Sequence, residues 1–261
     1  YGAPVWAVSA SGTTLFAGTD DGVARSTNGG STWAIVKLPK SIKCFGVLGT
    51  TVFAGAPGGV YSSTDNGAIW TFATNKGMNA VPVTAIVSYG RYLYAGNMYG
   101  VSRSSDNGEN WTLVNGGAVT GLAVVGSALF QSVNGTFGGV FRSNDSGATW
   151  TKTSTGINDS DVMTVTSGGT VVYAGCRNGE VFRSSDNGSS WAPLKTGLVD
   201  TVITSIVATG SSLYAGTLGA GVIRTTDNGA HWTRNSPGLT DNYVNAIVLT
   251  GSTLFAGSLG G

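Results

Sequence analysis

Ser104-Ser-Asp-Asn-Gly-Glu-Asn-Trp111 and Ser184-Ser-Asp-Asn-Gly-Ser-Ser-Trp191 are two copies of one eight-residue pattern, Ser/Thr-x-Asp-x-Gly-x-x-Trp. Four more copies begin at Ser26, Ser63, Ser143 and Thr225. The third position is Asp65, Asp106, Asp145, Asp186 or Asp227, and Asn28 in the first copy. The closing tryptophans are Trp33, Trp70, Trp111, Trp150, Trp191 and Trp232, spaced 37, 41, 39, 41 and 41 residues apart. A fixed signature returning at about forty residues identifies a repeat architecture.

Outward from the pattern, each unit contains four short β segments. The first is apolar and ends at a glycine, as in Val83-Thr-Ala-Ile-Val-Ser-Tyr-Gly90, and reads as a strand buried on both faces. The second is Leu93-Tyr-Ala-Gly96 and its counterparts. The third, such as Gly139-Val-Phe-Arg-Ser143, leads into the eight-residue turn, and the fourth starts near the tryptophan, as in Trp150-Thr-Lys152. Short strands joined by Gly-rich turns predict antiparallel hairpins. Four such strands per unit, repeated around an axis, predict an all-β β-propeller rather than a linear solenoid.

The chain is expected to be one propeller domain over 1–261. Its approximate blades are 1–40, 41–79, 80–116, 117–158, 159–200, 201–241 and a partial 242–261. After six complete units two more strands follow, and the sequence stops in the turn where the previous unit begins its third strand. The expectation is a seven-bladed ring with an incomplete last blade, in an excerpt of a longer chain. A six-bladed ring with an extra hairpin, or part of a larger ring, are the alternatives. An open edge on the last blade would call for a partner strand.

The eight-residue turn resembles the Asp-box, also called the bacterial neuraminidase repeat. That motif is found in sialidase, xyloglucanase and sortilin propellers, in photosystem II assembly factor-like proteins and in many secreted bacterial repeat proteins. The resemblance covers essentially the whole chain. It implies a propeller fold and a secreted or cell-surface bacterial protein, but no particular activity, because the motif occurs in enzymes and non-enzymes alike. The aspartates and tryptophans of the turn are expected to be structural: the carboxylate accepts N–H bonds two or three residues on, glycine supplies a positive φ, and the indole packs between sheets. With Asn28, the first turn keeps an acceptor oxygen, loses the charge and is expected to form less firmly.

Composition narrows the function. Charged residues are 10% of the chain and the net charge is +1, which gives no electrostatic case for nucleic acid. No apolar run is long enough to span a membrane as a helix. Two cysteines are too few for a disulfide scaffold, and Cys44 reads as a small buried filler. Cys176 falls in a loop slot three units away, so no bond between them is expected. Arg25, Arg103, Arg142, Arg183 and Arg224 stand in register before their turns, which makes them structural. Arg91, Arg177 and Arg234 are too scattered for the arginine triad of a sialidase. His231, inside a turn, has no partners for a metal site or a triad.

Functional groups are therefore expected on the face opposite the turns, in the loops where the repeat is broken. The candidates there are Asp20, Asp21, Asp159, Asp161, Glu180, Asp200 and Asp241, with Arg177 and the aromatic residues Tyr99, Phe137 and Tyr243. Met98 and Leu218 are further apolar loop residues. The carboxylates suggest an acidic arc, and Lys37, Lys40 and Lys76 a basic one. No cofactor is expected; Asp159 and Asp161 are the first candidates for a calcium site, although calcium wants six to eight oxygens. The preferred reading is a non-enzymatic extracellular interaction propeller that binds protein or glycan on this face. A lectin-like propeller is the alternative, and a glycoside hydrolase using loop carboxylates the third.

Overall fold

The computed structural model describes residues 3–199 and 201–260. Every regular element in it is a β-strand. Six four-stranded antiparallel sheets follow one another along the chain, each in simple sequential order. In blade 1 the strands are Val5–Ser11, Thr14–Thr19, Gly22–Ser26 and Ala34–Lys37. The innermost strands of blades 2 to 6 are Cys44–Leu48, Ala85–Tyr89, Ala118–Val125, Val162–Gly168 and Ile203–Thr209. A final two-stranded sheet, Val244–Thr250 with Thr253–Ser258, lies between blades 6 and 1. An axial channel is lined by residues from all seven innermost strands, including Ala7, Cys44, Ala85, Gly121, Thr164, Thr204 and Ala246.

The propeller is thus as the repeats predict, with one correction. Its blades number six, not seven with an incomplete one. A blade here is completed by a third strand, the eight-residue turn and a fourth strand, and the final sheet has none of these among the described residues.

The turn has more internal bonding than its sequence suggests. In the second copy, the Ser63 hydroxyl donates to Asp65 Oδ1 at 2.7 Å and accepts the Gly67 N–H at 2.8 Å. Asp65 Oδ1 also accepts the N–H groups of Ala68 and Ile69, both at 3.0 Å. The carboxylate therefore reaches three and four residues forward, not two. The same four-residue reach recurs at Asn110, Thr149, Ser190 and His231. Two consecutive residues take the left-handed conformation: Asn66 has φ 59° and Gly67 φ 82°. Only the glycine is obvious from sequence; the asparagine before it is the residue type best able to share that region. Asn28 keeps the turn's hydrogen-bond pattern, with a longer bond from the Ser26 hydroxyl, 3.0 Å against 2.7 Å in the second copy. Its Oδ1 accepts the Thr32 N–H at 3.0 Å, and its amide donates to Thr32 Oγ1 at 2.8 Å.

Each turn also plugs into the preceding blade. A side chain at Gly67 would collide with the Phe16 ring of blade 1, and one at Gly188 with the Phe130 ring of blade 4. The indole beside the glycine joins the same apolar cluster: Trp70 packs with Phe16, Trp111 with Phe53 and Trp191 with Phe130. From the other side, an arginine of the preceding blade reaches the turn's backbone. Arg25 Nε donates to Asn66 O at 2.7 Å, Arg103 Nη1 to Ser146 O at 3.0 Å, and Arg142 Nη1 to Asn187 O. Arg183 and Arg224 keep the register, but their buried Nε atoms have no acceptor among the described residues. Not every tryptophan is covered. Trp33 is 37% exposed because its neighbour is the two-stranded sheet, which lacks the outer strands that would enclose it.

Both cysteines are free and buried, Cys44 beside the channel and Cys176 at the inner end of a strand rather than in a loop. Burial pushes the Cys44 thiol up to about 12, so it stays protonated and unreactive.

Two outcomes test this account of the turn. Gly67→Ala adds a clash with Phe16 to a positive φ and should destabilise by about 3 kcal/mol. Gly251→Ala, at a similar φ but with open space around it, should cost only about 1 kcal/mol in the same urea titration. The second outcome concerns acid. The Thr149 hydroxyl first, then its N–H and the Ser143 hydroxyl, hold Asp145 down to about 2. Bonds within their own turns also lower Asp65, Asp106, Asp186 and Asp227. Because the folded carboxylates hold their protons less tightly than the unfolded ones, this stabilisation is complete above the ordinary aspartate pKa of about 4 and is lost below it. The melting temperature should fall as pH drops from about 4 towards about 2, less steeply in Asp145→Asn, measured by circular dichroism melts across that range.

Candidate functional site

The loops opposite the turns surround the channel mouth where the innermost strands begin. One position at this mouth stitches neighbouring blades. Thr84 Oγ1 donates to Val119 O at 2.7 Å, Thr120 Oγ1 to Val162 O at 2.6 Å, and Thr204 Oγ1 to Val244 O at 2.7 Å. Asn245 Nδ2 closes the circle onto Val5 O at 2.9 Å. Trp6 and Lys43 occupy the same register position and depart from it. Asp20 Oδ1 accepts the Trp6 indole N–H at 2.8 Å and lies 3.4 Å from Lys43 Nζ. The ammonium stands 3.4 Å from the centroid of the Trp6 ring. Burial lowers the Lys43 pKa and the Asp20 charge opposes that shift. Trp6 and Lys43 were not singled out from sequence; at their position four units carry Thr84, Thr120, Thr204 or Asn245, and Met163 of blade 5 departs as well.

A second group lies between blades 4 and 5. Asp161 Oδ1 accepts the Gly135 N–H at 2.7 Å, and its Oδ2 accepts Arg177 Nε at 3.0 Å. Asp159 Oδ1 accepts the Asp161 N–H at 2.8 Å, and its Oδ2 accepts the Asn178 N–H at 3.3 Å. Glu180 accepts from the Asn178 amide at 3.1 Å. Asn158, Asp159, Arg177, Asn178 and Val202 line a shallow cleft here. Each of the four oxygens of the Asp159–Asp161 pair accepts one N–H bond, one of them from a guanidinium. Among the described residues no three His, Cys, Asp or Glu side chains converge on a metal position.

The remaining candidates stay apart. Asp21 is exposed beside Asp20 in blade 1. Asp241 caps the loop before the final sheet by accepting the Tyr243 N–H at 2.9 Å. Asp200 lies outside the described residues. Among the described residues no hydrogen bond or ion pair joins the carboxylates of blade 1, those around Asp159 and Asp161, and Asp241. The basic arc is divided too. Lys40 Nζ donates to Pro57 O at 2.8 Å and covers the Phe72 ring, whereas Lys76 pairs through its backbone with Glu109 and Trp111 at a turn. Apolar residues face water on the loop side: Met98 and Tyr99 in blade 3, Phe137 in blade 4 and Tyr243 near the final sheet. Phe137 is 87% exposed and Tyr99 51%. Leu218 is half-buried and bridges to Tyr243. Val199 is also exposed and was not anticipated.

Comparison with known proteins agrees with this fold. A family model described as the DUF6242 beta propeller domain matches residues 127–248. No curated protein matches. Among solved structures, YCF48 bound to D1 peptide is similar with a TM-score of 0.78 at 14% identity, over 99% of this chain and 90% of its own. YCF48 from Cyanidioschyzon merolae gives 0.77 at 13%, over 99% and 94%. The GH74 xyloglucanase from Xanthomonas campestris gives 0.79 at 14%, over 100% of this chain and 51% of the enzyme. Identities this low establish the fold alone. No described helix is long and apolar enough to cross a membrane.

Asp161 should matter to the loops more than its ion pair does. Asp161→Ala removes the anchor of Gly135 and should cost about 1–2 kcal/mol, with faster proteolytic cleavage in 135–138. Arg177→Ala, at a side chain 53% exposed, should cost less than about 1 kcal/mol and leave that cleavage rate unchanged.

Proposed function

We propose that this chain is an Asp-box propeller that acts as a non-enzymatic, extracellular interaction module, secreted or displayed on a bacterial cell surface. Its partner is a protein segment held on the loop face. The observation that carries this reading is Phe137, 87% exposed, in the blade next to Met98 and Tyr99. Large apolar side chains held out on neighbouring loops are the kind of surface that a protein partner covers. The carboxylates on the same face support it from the other side. A glycosidase needs two carboxyl groups free to act across a sugar ring. Here Asp159 and Asp161 are bonded through every oxygen to loop N–H groups and Arg177. That a propeller of the same fold is known with a bound peptide is in keeping with a peptide ligand.

A photo-crosslinking amino acid at position 137 should give a protein adduct in the native extracellular fraction, and none when placed at Asn107 on the turn face. Tyr99→Ser with Phe137→Ser should abolish the adduct formed from a crosslinker at Met98 without lowering the melting temperature. A glycan array and a polysaccharide hydrolysis screen decide against the rivals. Glycan binding lost in the double variant would replace the reading with a lectin, and turnover lost in Asp159→Asn would replace it with a hydrolase.

A further inference from the structure

Asn28 is the one departure from Asp in the third place of the turn, and only there is that residue followed directly by glycine. The other five turns carry Asn or Ser in the fourth place with a left-handed backbone, as at Asn66, Asn107, Ser146, Asn187 and Asn228. In the first turn Gly29 takes that conformation, at φ 67°. An asparagine followed by glycine can lose its side-chain amide, because the next backbone nitrogen lies within reach of its own Cγ and the attack is intramolecular.

The sequence holds eight Asn-Gly steps, and seven are restrained against this reaction. After Asn66, Asn107, Asn187 and Asn228 the glycine is buried, and its N–H is engaged by the hydroxyl of Ser63, Ser104, Ser184 or Thr225. The left-handed backbone of these asparagines also sets the following nitrogen nearly anti to the side chain. Asn115 and Asn134 lie in the extended strands Thr112–Gly116 and Ala128–Asn134, and the Gly135 N–H is bonded to Asp161. Gly179, after Asn178, is buried with its N–H directed at Cys176 O. Gly29 has none of these restraints. It is exposed, open space surrounds it, and no described residue accepts its N–H.

The Asn28 side chain is set for attack as well. Its Oδ1 accepts the Ser26 hydroxyl and the Thr32 N–H, both at 3.0 Å. Both bonds fall on the oxygen that becomes negative when the glycine nitrogen adds to Cγ, so they stabilise that intermediate rather than merely hold the side chain. Nδ2 lies 2.8 Å from the Thr32 hydroxyl, which is placed to give a proton to the departing nitrogen. In the other turns the corresponding donors serve a carboxylate, where no such reaction exists.

We infer that Asn28 is a self-modifying site at which the first turn converts its own asparagine to an acidic residue. The Gly29 nitrogen loses its proton to water and bonds to Cγ. The Cγ–Nδ2 bond breaks and ammonia leaves. Water then opens the cyclic imide to aspartate or isoaspartate, so one water is consumed, one ammonia is released and no oxidation state changes. The aspartyl product gives the first turn the carboxylate that the other five carry from synthesis.

The test is peptide mapping of the 261-residue chain after storage in mildly alkaline buffer. Trypsin cleavage after Arg25 and Lys37 releases residues 26–37, in which Asn28 is the sole asparagine. Conversion of this peptide to its aspartyl and isoaspartyl forms, separated by chromatography and identified by mass, should run about tenfold ahead of every other Asn-Gly step in the folded chain. In guanidinium chloride Asn28 should slow and the eight rates should draw together. Thr32→Val, at an exposed position, keeps the backbone donor but removes the hydroxyl, and should slow the folded-state conversion severalfold. Another Asn-Gly step leading in the folded chain, faster conversion of Asn28 unfolded than folded, or an unchanged rate in Thr32→Val overturns the proposal. The folded and unfolded comparisons use the native sequence, so they do not depend on a variant that folds.

Discussion

The contact on which the rest of this propeller depends is a turn glycine pressed against the sheet before it. In four turns the glycine meets the aromatic ring of the preceding second strand, as Gly30 on Phe255, Gly67 on Phe16, Gly147 on Tyr94 and Gly188 on Phe130, and in the other two Gly108 meets Val60 and Gly229 meets Leu194. No other residue type allows that approach together with the positive φ. The buried hydroxyl of Ser63 or Ser184 and the carboxylate behind it hold the turn in shape, so the glycine and the tryptophan arrive together. Hydrophobic burial then joins blade to blade, and the arginine from the preceding blade fixes the angle by grasping the turn's backbone.

This arrangement gives the conspicuous residues a structural part. Aspartates, tryptophans, arginines and even His231 are absorbed by it. His231 stands where Asn110, Thr149 and Ser190 stand in other turns, and like them bonds the second carboxylate oxygen of its aspartate. Chemistry that distinguishes one blade from another lies where the repeat fails. At the channel mouth, Trp6 and Lys43 replace a blade-to-blade stitch by a contact with Asp20. On the loops, Tyr99 and Phe137 expose apolar surface where polar residues are the norm.

The fold was legible in the sequence because its determinants are local and repeated. Six copies of the turn give the strand order, the antiparallel pairing and the position of the inward-facing tryptophans. The blade count was not, because a sheet is complete only when four strands pair, and the final unit supplies two. The candidate site was legible by place rather than by chemistry. Asp159, Asp161 and Arg177 do meet, since they lie in adjacent loops. Asp20 and Asp241 do not join them, because their distances depend on where seven innermost strands arrange themselves around an axis. Local sequence carries no information about that. The partial exposure of Trp33 was hidden for the same reason: its environment is made by residues more than two hundred positions away.

The stitches at the channel mouth all point the same way around the ring. Thr84, Thr120, Thr204 and Asn245 each donate to the strand that follows, never to the one behind. Each of these four units thus carries a fitting for the neighbour that follows, and none of these bonds refers to a position in the circle. A unit of this kind can be copied or lost without rewriting those beside it. Blade number is then a property of the closed circle, free to change between descendants while the sequence of each unit stays nearly the same.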